Sequence, residues 1–169
     1  MTYLKLAFVT LGTLAIGCGG SDSNSVDGNS GSGNLCASLP QNTGATITDS
    51  VDSSAWPGGA ALGMGGAIES GTFHQSQHIY YSPASTPNHM WSGTLVIDTG
   101  AGTILSNVAK DGATVQLMGE TYTTTGNQIT LDVVCPQAMS GGTFYYTYAG
   151  GTLTFYADMD KTATVFQKQ

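Results

Sequence analysis

The feature that most limits what this chain can become is a threonine-rich alternation of period two, running from Ile68 to the C-terminus. "TLTFYA" places Leu153, Phe155 and Ala157 on one face and Thr152, Thr154 and Tyr156 on the other. "QITLDVV" sets Ile129, Leu131 and Val133 against Thr130 and Asp132, and "TFYYTYA" sets Phe144, Tyr146 and Tyr148 against Thr143, Tyr145 and Thr147. "ATVQLM" and "TATVFQ" continue the habit. Such alternation is the mark of a strand with one face buried. Between the runs stand Gly100-Ala101-Gly102, Asp111-Gly112, Gly126-Asn127 and Gly150-Gly151, the residue types that tight hairpin turns require. "YTTTGNQITL" and "YTYAGGTLTF" echo one another as two hairpins. Counting runs predicts an all-β domain: an antiparallel meander of about eight or nine strands whose consecutive members pair. A meander of that length avoids bare edges most simply by closing into a barrel.

Upstream, residues 35–66 are rich in Gly, Ala, Ser and Pro and carry no strong period, so they read as an irregular arm or short helix that packs Trp56 against the barrel domain, residues 67–169. Charge narrows the partners. Only 9 % of the chain is charged, no arginine is present, and the net charge is −7. A chain so poor in cations cannot neutralise phosphates, which argues against nucleic acid. No residue pattern calls for a cofactor, and the domain is expected to be a monomer.

The N-terminus reads as an export signal. Lys5 precedes an apolar run from Leu6 to Ile16, shorter than the roughly 20 residues that span a bilayer. It ends in Leu14-Ala15-Ile16-Gly17-Cys18, which resembles the bacterial lipobox. That resemblance implies removal of residues 1–17 and acylation of Cys18, anchoring the chain to a membrane. The spacer that follows, "GGSDSNSVDGNSGSGN", is built of residues that bury nothing. Gly19, where Asp would favour inner-membrane retention, points to the outer membrane. With Cys18 lipidated, Cys36 and Cys135 remain, and an oxidising compartment closes such a pair into a disulfide.

The stretches "ESGTFHQSQHIYY", "SGTLVIDTGAGTI", "GETYTTTGNQITLDVVCP", "GGTLTFY" and "VFQKQ" together resemble the lipocalin-like domain of small bacterial lipoproteins, over roughly residues 66–169. The resemblance implies a lipocalin-like barrel. Gly71-Thr72-Phe73 stands where true lipocalins carry Gly-x-Trp, so the hairpin signatures bear on fold more than on ligand.

Chemistry-bearing residues are few. Asp98-Thr99-Gly100-Ala101 between apolar flanks imitates an aspartic-peptidase loop, with Leu117-Met118-Gly119 as its downstream echo. Such a peptidase needs two carboxylates sharing one proton, and the two segments stand too close in sequence to enclose a flap and its strands. A hairpin turn accounts for every residue. His74 and His78 on a strand would share a face about 13 Å apart, too far for one ion, and His89 sits in a Pro-rich connection. The Gly-Ser-Gly at residues 31–33 falls in the spacer, where no scaffold orients a catalytic serine. No catalytic residue and no metal site is therefore expected. The remaining hint is a face of β character carrying Phe73, Gln75, Gln77, Ile79 and Tyr81, which with Tyr146 and Phe155 could line a pocket for a small apolar or amphiphilic ligand. The competing expectation is an envelope interaction or inhibitor module acting through exposed loops such as residues 82–90.

Overall fold

A computed structural model describes residues 35–82, 87–136 and 139–169. The signal, Cys18 and the spacer lie outside the described residues, as does most of the loop at 83–86. A single 3-10 turn (Cys36–Ser38) leads into β1 (Ile47–Thr48), β2 (Ser50–Asp52) and a short helix α1 (Gly59–Leu62). Eight longer strands follow: β3 (Gly71–Tyr81), β4 (Met90–Asp98), β5 (Thr103–Lys110), β6 (Ala113–Thr125), β7 (Gln128–Cys135), β8 (Met139–Ala149), β9 (Thr152–Ala157) and β10 (Thr162–Lys168). Each pairs antiparallel with the next, and β10 returns to β3. The alternation thus folds as a closed eight-stranded meander barrel, with β1 and β2 as additions. The turns use the expected chemistry: Asp111 and Gly112 stand at φ 51° and 80°, Gly150 and Gly151 at 55° and 78°, as right-twisted hairpins demand.

The wall is weakest between β3 and β4. They pair only from Gly71↔Ile97 to His74↔Thr94, then diverge. The N-terminal arm fills the gap. Its β1 pairs antiparallel with β4 (Ile47↔Trp91), and its β2 pairs parallel with β3 (Ser50↔Ile79). Asp49, between them, gives its N–H to the His89 carbonyl, while its carboxylate accepts the His89 N–H at 2.8 Å and the Trp91 indole N–H at 2.7 Å. Thr43 caps the fork itself, its N–H on Thr94 Oγ1 and its hydroxyl on His74 Nε2. The arm read as irregular is therefore partly strand, and it completes the barrel. Its polar residues carry no strand period because their partners, main-chain groups and side chains alike, lie far along the chain.

Of the register shifts in the barrel, one on β3 and one on β7 reset which residues face inward. Phe166 pairs Gln75 but Val165 pairs Gln77, so Ser76 is the extra residue on β3. A one-residue insertion flips every side chain beyond it. On β7, Val133 pairs Glu120 whereas Cys135 pairs Gly119, making Val134 the extra residue. Cys135 thus turns outward, where Cys36 meets it in a disulfide with 5.4 Å between Cα atoms. Leu35 lies there too, against the open face that Gly119 leaves.

The core fills one end of the barrel. Phe73, Ile97, Ile104, Ile129, Tyr146, Leu153 and Phe166 are buried together, with Ile68, Tyr122 and Tyr148 packed against them. The Tyr146 hydroxyl donates to the Gly66 carbonyl at 2.9 Å. Gly65 bonds β8 twice, its N–H to Tyr146 O and its carbonyl from Tyr148 N, on the stretch of β8 that lies past the start of β7 at Gln128. Trp56 packs edge-on over Tyr81, 4.9 Å between ring centroids, and donates to Asp158.

Candidate functional site

Toward the opposite end, where β3 and β4 part, the interior is not filled. A cavity of about 190 Å³ remains. Its walls are mainly apolar: Leu95, Ile104, Val108 and Leu131 on the β4–β7 side, Phe144, Phe155 and Phe166 on the β8–β10 side. The space lies where β3 and β4 have parted. Gly93 on β4 makes room for the Gln75 and Phe166 side chains beside it, since a Cβ there would lie 2.8 Å from Gln75 Oε1 and 3.3 Å from the Phe166 ring. Ala157 on β9 contributes only a methyl group to the wall.

Five polar side chains, Gln75, His78, Gln116, Glu120 and Thr164, interrupt the apolar lining. Gln75 is 3 % exposed, and neither atom of its carboxamide has a hydrogen-bond partner among the described residues. A buried amide left unpaired costs on the order of 1–3 kcal/mol. Glu120, on β6, is 5 % exposed, and no described residue hydrogen-bonds its carboxyl. Burial pushes that carboxyl up to about 7, with no other cause contributing. His78 holds Nδ1 3.1 Å from Thr164 Oγ1 and lies against the Trp91 ring, 4.4 Å between centroids. Burial holds its imidazole below its usual value, against the attraction of Asp49. Gln116 is satisfied, donating to Ser106 Oγ at 2.9 Å.

Trp91 closes the wall at the seam. Its indole N–H is fixed by Asp49, and Lys110 Nζ sits 5.1 Å from the ring centroid. The arm thereby reaches the cavity through one hydrogen bond. Near this rim His89 Nδ1 meets Asp111 Oδ2 at 2.8 Å. The Asp111 carboxyl also accepts the Met90 N–H, and these bonds hold it below the usual carboxylate value.

Of the residues expected in a pocket, the structure places Gln75 and Phe155 in the cavity wall. Phe73 and Tyr146 belong instead to the packed end. Gln77, Ile79 and Tyr81 leave the interior because the Ser76 bulge flips β3 after Gln75; Gln77 is exposed and Tyr81 lies under Trp56 on the outside. The same bulge separates the two histidines. His74 stays outside on Thr43, while His78 turns inward. Asp98 ends β4 and caps the turn to β5, its Oδ1 accepting the N–H groups of Gly100 at 2.9 Å and Ala101 at 3.1 Å. It is an exposed turn carboxylate. Among the described residues, no three His, Cys, Asp or Glu side chains gather as a metal site.

Glu120 went unmarked in the sequence reading. Its signal was nevertheless there: in "QLMGETY" it falls on the face of Gln116, Met118 and Tyr122, so a Tyr122 packed against the core carries a carboxylate inward beside it. Comparison with protein families, curated proteins and solved structures finds no match to this chain. The geometry alone carries the functional reading.

Proposed function

We propose that this chain is a non-enzymatic lipoprotein of the outer membrane, anchored through Cys18, whose barrel binds a small, mainly apolar ligand. The observation that carries the binding reading is the Gln75 carboxamide, buried without a partner in the wall of an apolar cavity. A ligand with one polar group supplies what the fold leaves unmet, and its apolar body replaces nothing that is already packed. Size narrows the class. An apolar cavity of about 150 Å³ takes one benzene ring, so this one suits roughly six to ten non-hydrogen atoms. A long acyl chain is too large to be enclosed. At roughly 0.6 kcal/mol per atom, nine atoms correspond to a Kd on the order of 100 µM.

Nuclear magnetic resonance titration with benzyl alcohol tests the reading. Saturable shifts confined to wall residues such as Gln75, Leu95 and Phe155 are expected, and Ala157→Phe, which fills the space, should remove them. Absence of saturable shifts in the unsubstituted protein would refute it. The anchoring reading rests on the lipobox-like run and the spacer behind it. Metabolic labelling with a radioactive fatty acid should mark the chain and fail to mark Cys18→Ser; equal labelling of the two would refute the anchor.

A further inference from the structure

The polar groups of the cavity also constrain the charge of what it takes, an inference that rests on the small-ligand reading above. The wall holds an acid without a counter-charge: Glu120 stands on β6 between Ile104 of β5 and Val133 of β7, its paired neighbours. Among the described residues, the other titratable side chains lining the cavity or packed in the core are His78 of β3, Tyr122 of β6, and Tyr146 and Tyr148 of β8. None of these is a standing cation at neutral pH, since burial keeps His78 neutral there. Lys110, paired with Trp91 across β4 and β5, holds its Nζ 5.1 Å from that ring's centroid at the rim, where Asp49 and Asp111 also stand. An anion entering this space would meet the Glu120 carboxyl inside, while Lys110 stands at the Trp91 rim together with Asp49 and Asp111. A neutral alcohol would find the same acceptors, and the Gln75 amide as a donor, but without charge assistance.

We propose that the cavity is a site for a small organic ammonium ion, a primary or secondary amine on a compact apolar body, with the Glu120 carboxylate as counter-ion and the Gln75 carboxamide oxygen as a second acceptor. Three features of the site favour this guest. Glu120 is only 5 % exposed, so folding has already removed most of its hydration before binding. A charge-assisted N–H···O bond is about twice as strong as a neutral one. The faces of Trp91, Phe144, Phe155 and Phe166 attract a cation and also bury its apolar body. The chain's net charge of −7 draws cations toward it.

The test is calorimetric titration of the full-length protein at pH 8 with three probes of one shape: 2-phenylethylamine, 2-phenylethanol and phenylacetate. The amine should bind at least tenfold more tightly than the alcohol, and phenylacetate should not bind measurably. Lowering the pH from 8 to 6 should weaken the amine about tenfold, as the buried carboxyl takes up its proton, and should leave the alcohol no weaker. Glu120→Gln should bring amine and alcohol to parity. The comparison of probes and the pH series use the unsubstituted protein, so they stand whatever the variant does to folding. If the alcohol or phenylacetate binds as tightly as the amine, or if Glu120→Gln keeps the amine preference, the ammonium assignment is overturned while the small-ligand reading survives. If none of the three saturates, both fall.

Discussion

A buried acid with no partner makes a quantitative claim on stability. The Glu120 carboxyl is raised from 4.5 to about 7 by burial. Each tenfold change in proton affinity is worth about 1.4 kcal/mol, so the ionised native state carries a penalty of about 3 kcal/mol relative to the unfolded chain. The sign follows from proton counting. Between pH 4.5 and 7 the folded protein holds a proton on Glu120 that the unfolded chain has released. Stability from this group is therefore fully present below 4.5, falls across that window, and is level above it. Glu120→Gln removes the titration while keeping the shape. The variant should match the parent protein near pH 4 and exceed it by about 3 kcal/mol at pH 8, equivalent to a Tm about 10 °C higher for a domain of this size.

The raw pH profile of the parent protein does not isolate this effect. His78, held neutral by burial, contributes stability above 6.5 that is lost as pH falls, a slope of the opposite sign. Asp52, Glu69 and Asp111, each held below its ordinary value by hydrogen bonds, add acid-side losses of the same direction as His78. All of these are common to parent and variant, so the difference between two urea-unfolding series, taken with the disulfide intact, leaves Glu120 alone. A difference that stays constant from pH 4 to pH 8, or one that favours the parent at pH 8, would refute the assignment of Glu120 as an unpaired interior acid.

Three further outcomes follow from the same geometry. Replacing Cys36 and Cys135 by serine opens a loop spanning 99 positions and should cost about 4–5 kcal/mol, read as a lowered denaturant midpoint. Asp49→Ala strips the partner from the Trp91 indole and from the His89 N–H; a loss of about 1–3 kcal/mol is expected, with hydrogen exchange accelerated at residues 47–52 and 90–91 ahead of β5–β7. Uniform acceleration over the whole barrel would contradict a local seam. Asp98→Ala removes two turn hydrogen bonds at an exposed site, so a loss of no more than about 1 kcal/mol is expected, with benzyl alcohol binding unchanged in the same titration.

The strands and turns were legible because both are written locally. The alternation in residues 128–134 and 152–157 and the Gly-bearing turns are read from neighbours in the chain, and β7, β9 and the hairpins around them lie where the pattern puts them. The bulges were not legible for the same reason. On β3, Phe73 and Gln75 alternate correctly before Ser76, and His78 and Tyr80 after it; no residue type marks the slip, which exists only in the pairing with β10. One displaced residue moved Gln77, Ile79 and Tyr81 out and His78 in. The seam is likewise written in distant terms: "ITDSVD" has no strand period, yet Asp49 and its neighbours bond residues about forty positions away.

The cavity occupies the part of the barrel where those local rules fail. A regular eight-stranded barrel is just wide enough for side chains to fill its interior, and the end built from Phe73, Ile97, Ile129 and Leu153 is filled in that way. The other half departs from regularity at once in three respects: β3 and β4 separate, Ser76 bulges, and Gly93 presents no side chain. Together these admit the unpartnered Gln75, turn His78 inward and leave Glu120 facing open space. Each departure costs stability, and the arm with its Asp49 clamp and the Cys36–Cys135 bond hold the splayed wall together. A sequence under selection for stability alone would close β3 on β4 along their full length and place an apolar residue at position 120. Where a chain departs from local consistency and adds a strap to tolerate it, the departure is the place to look for function.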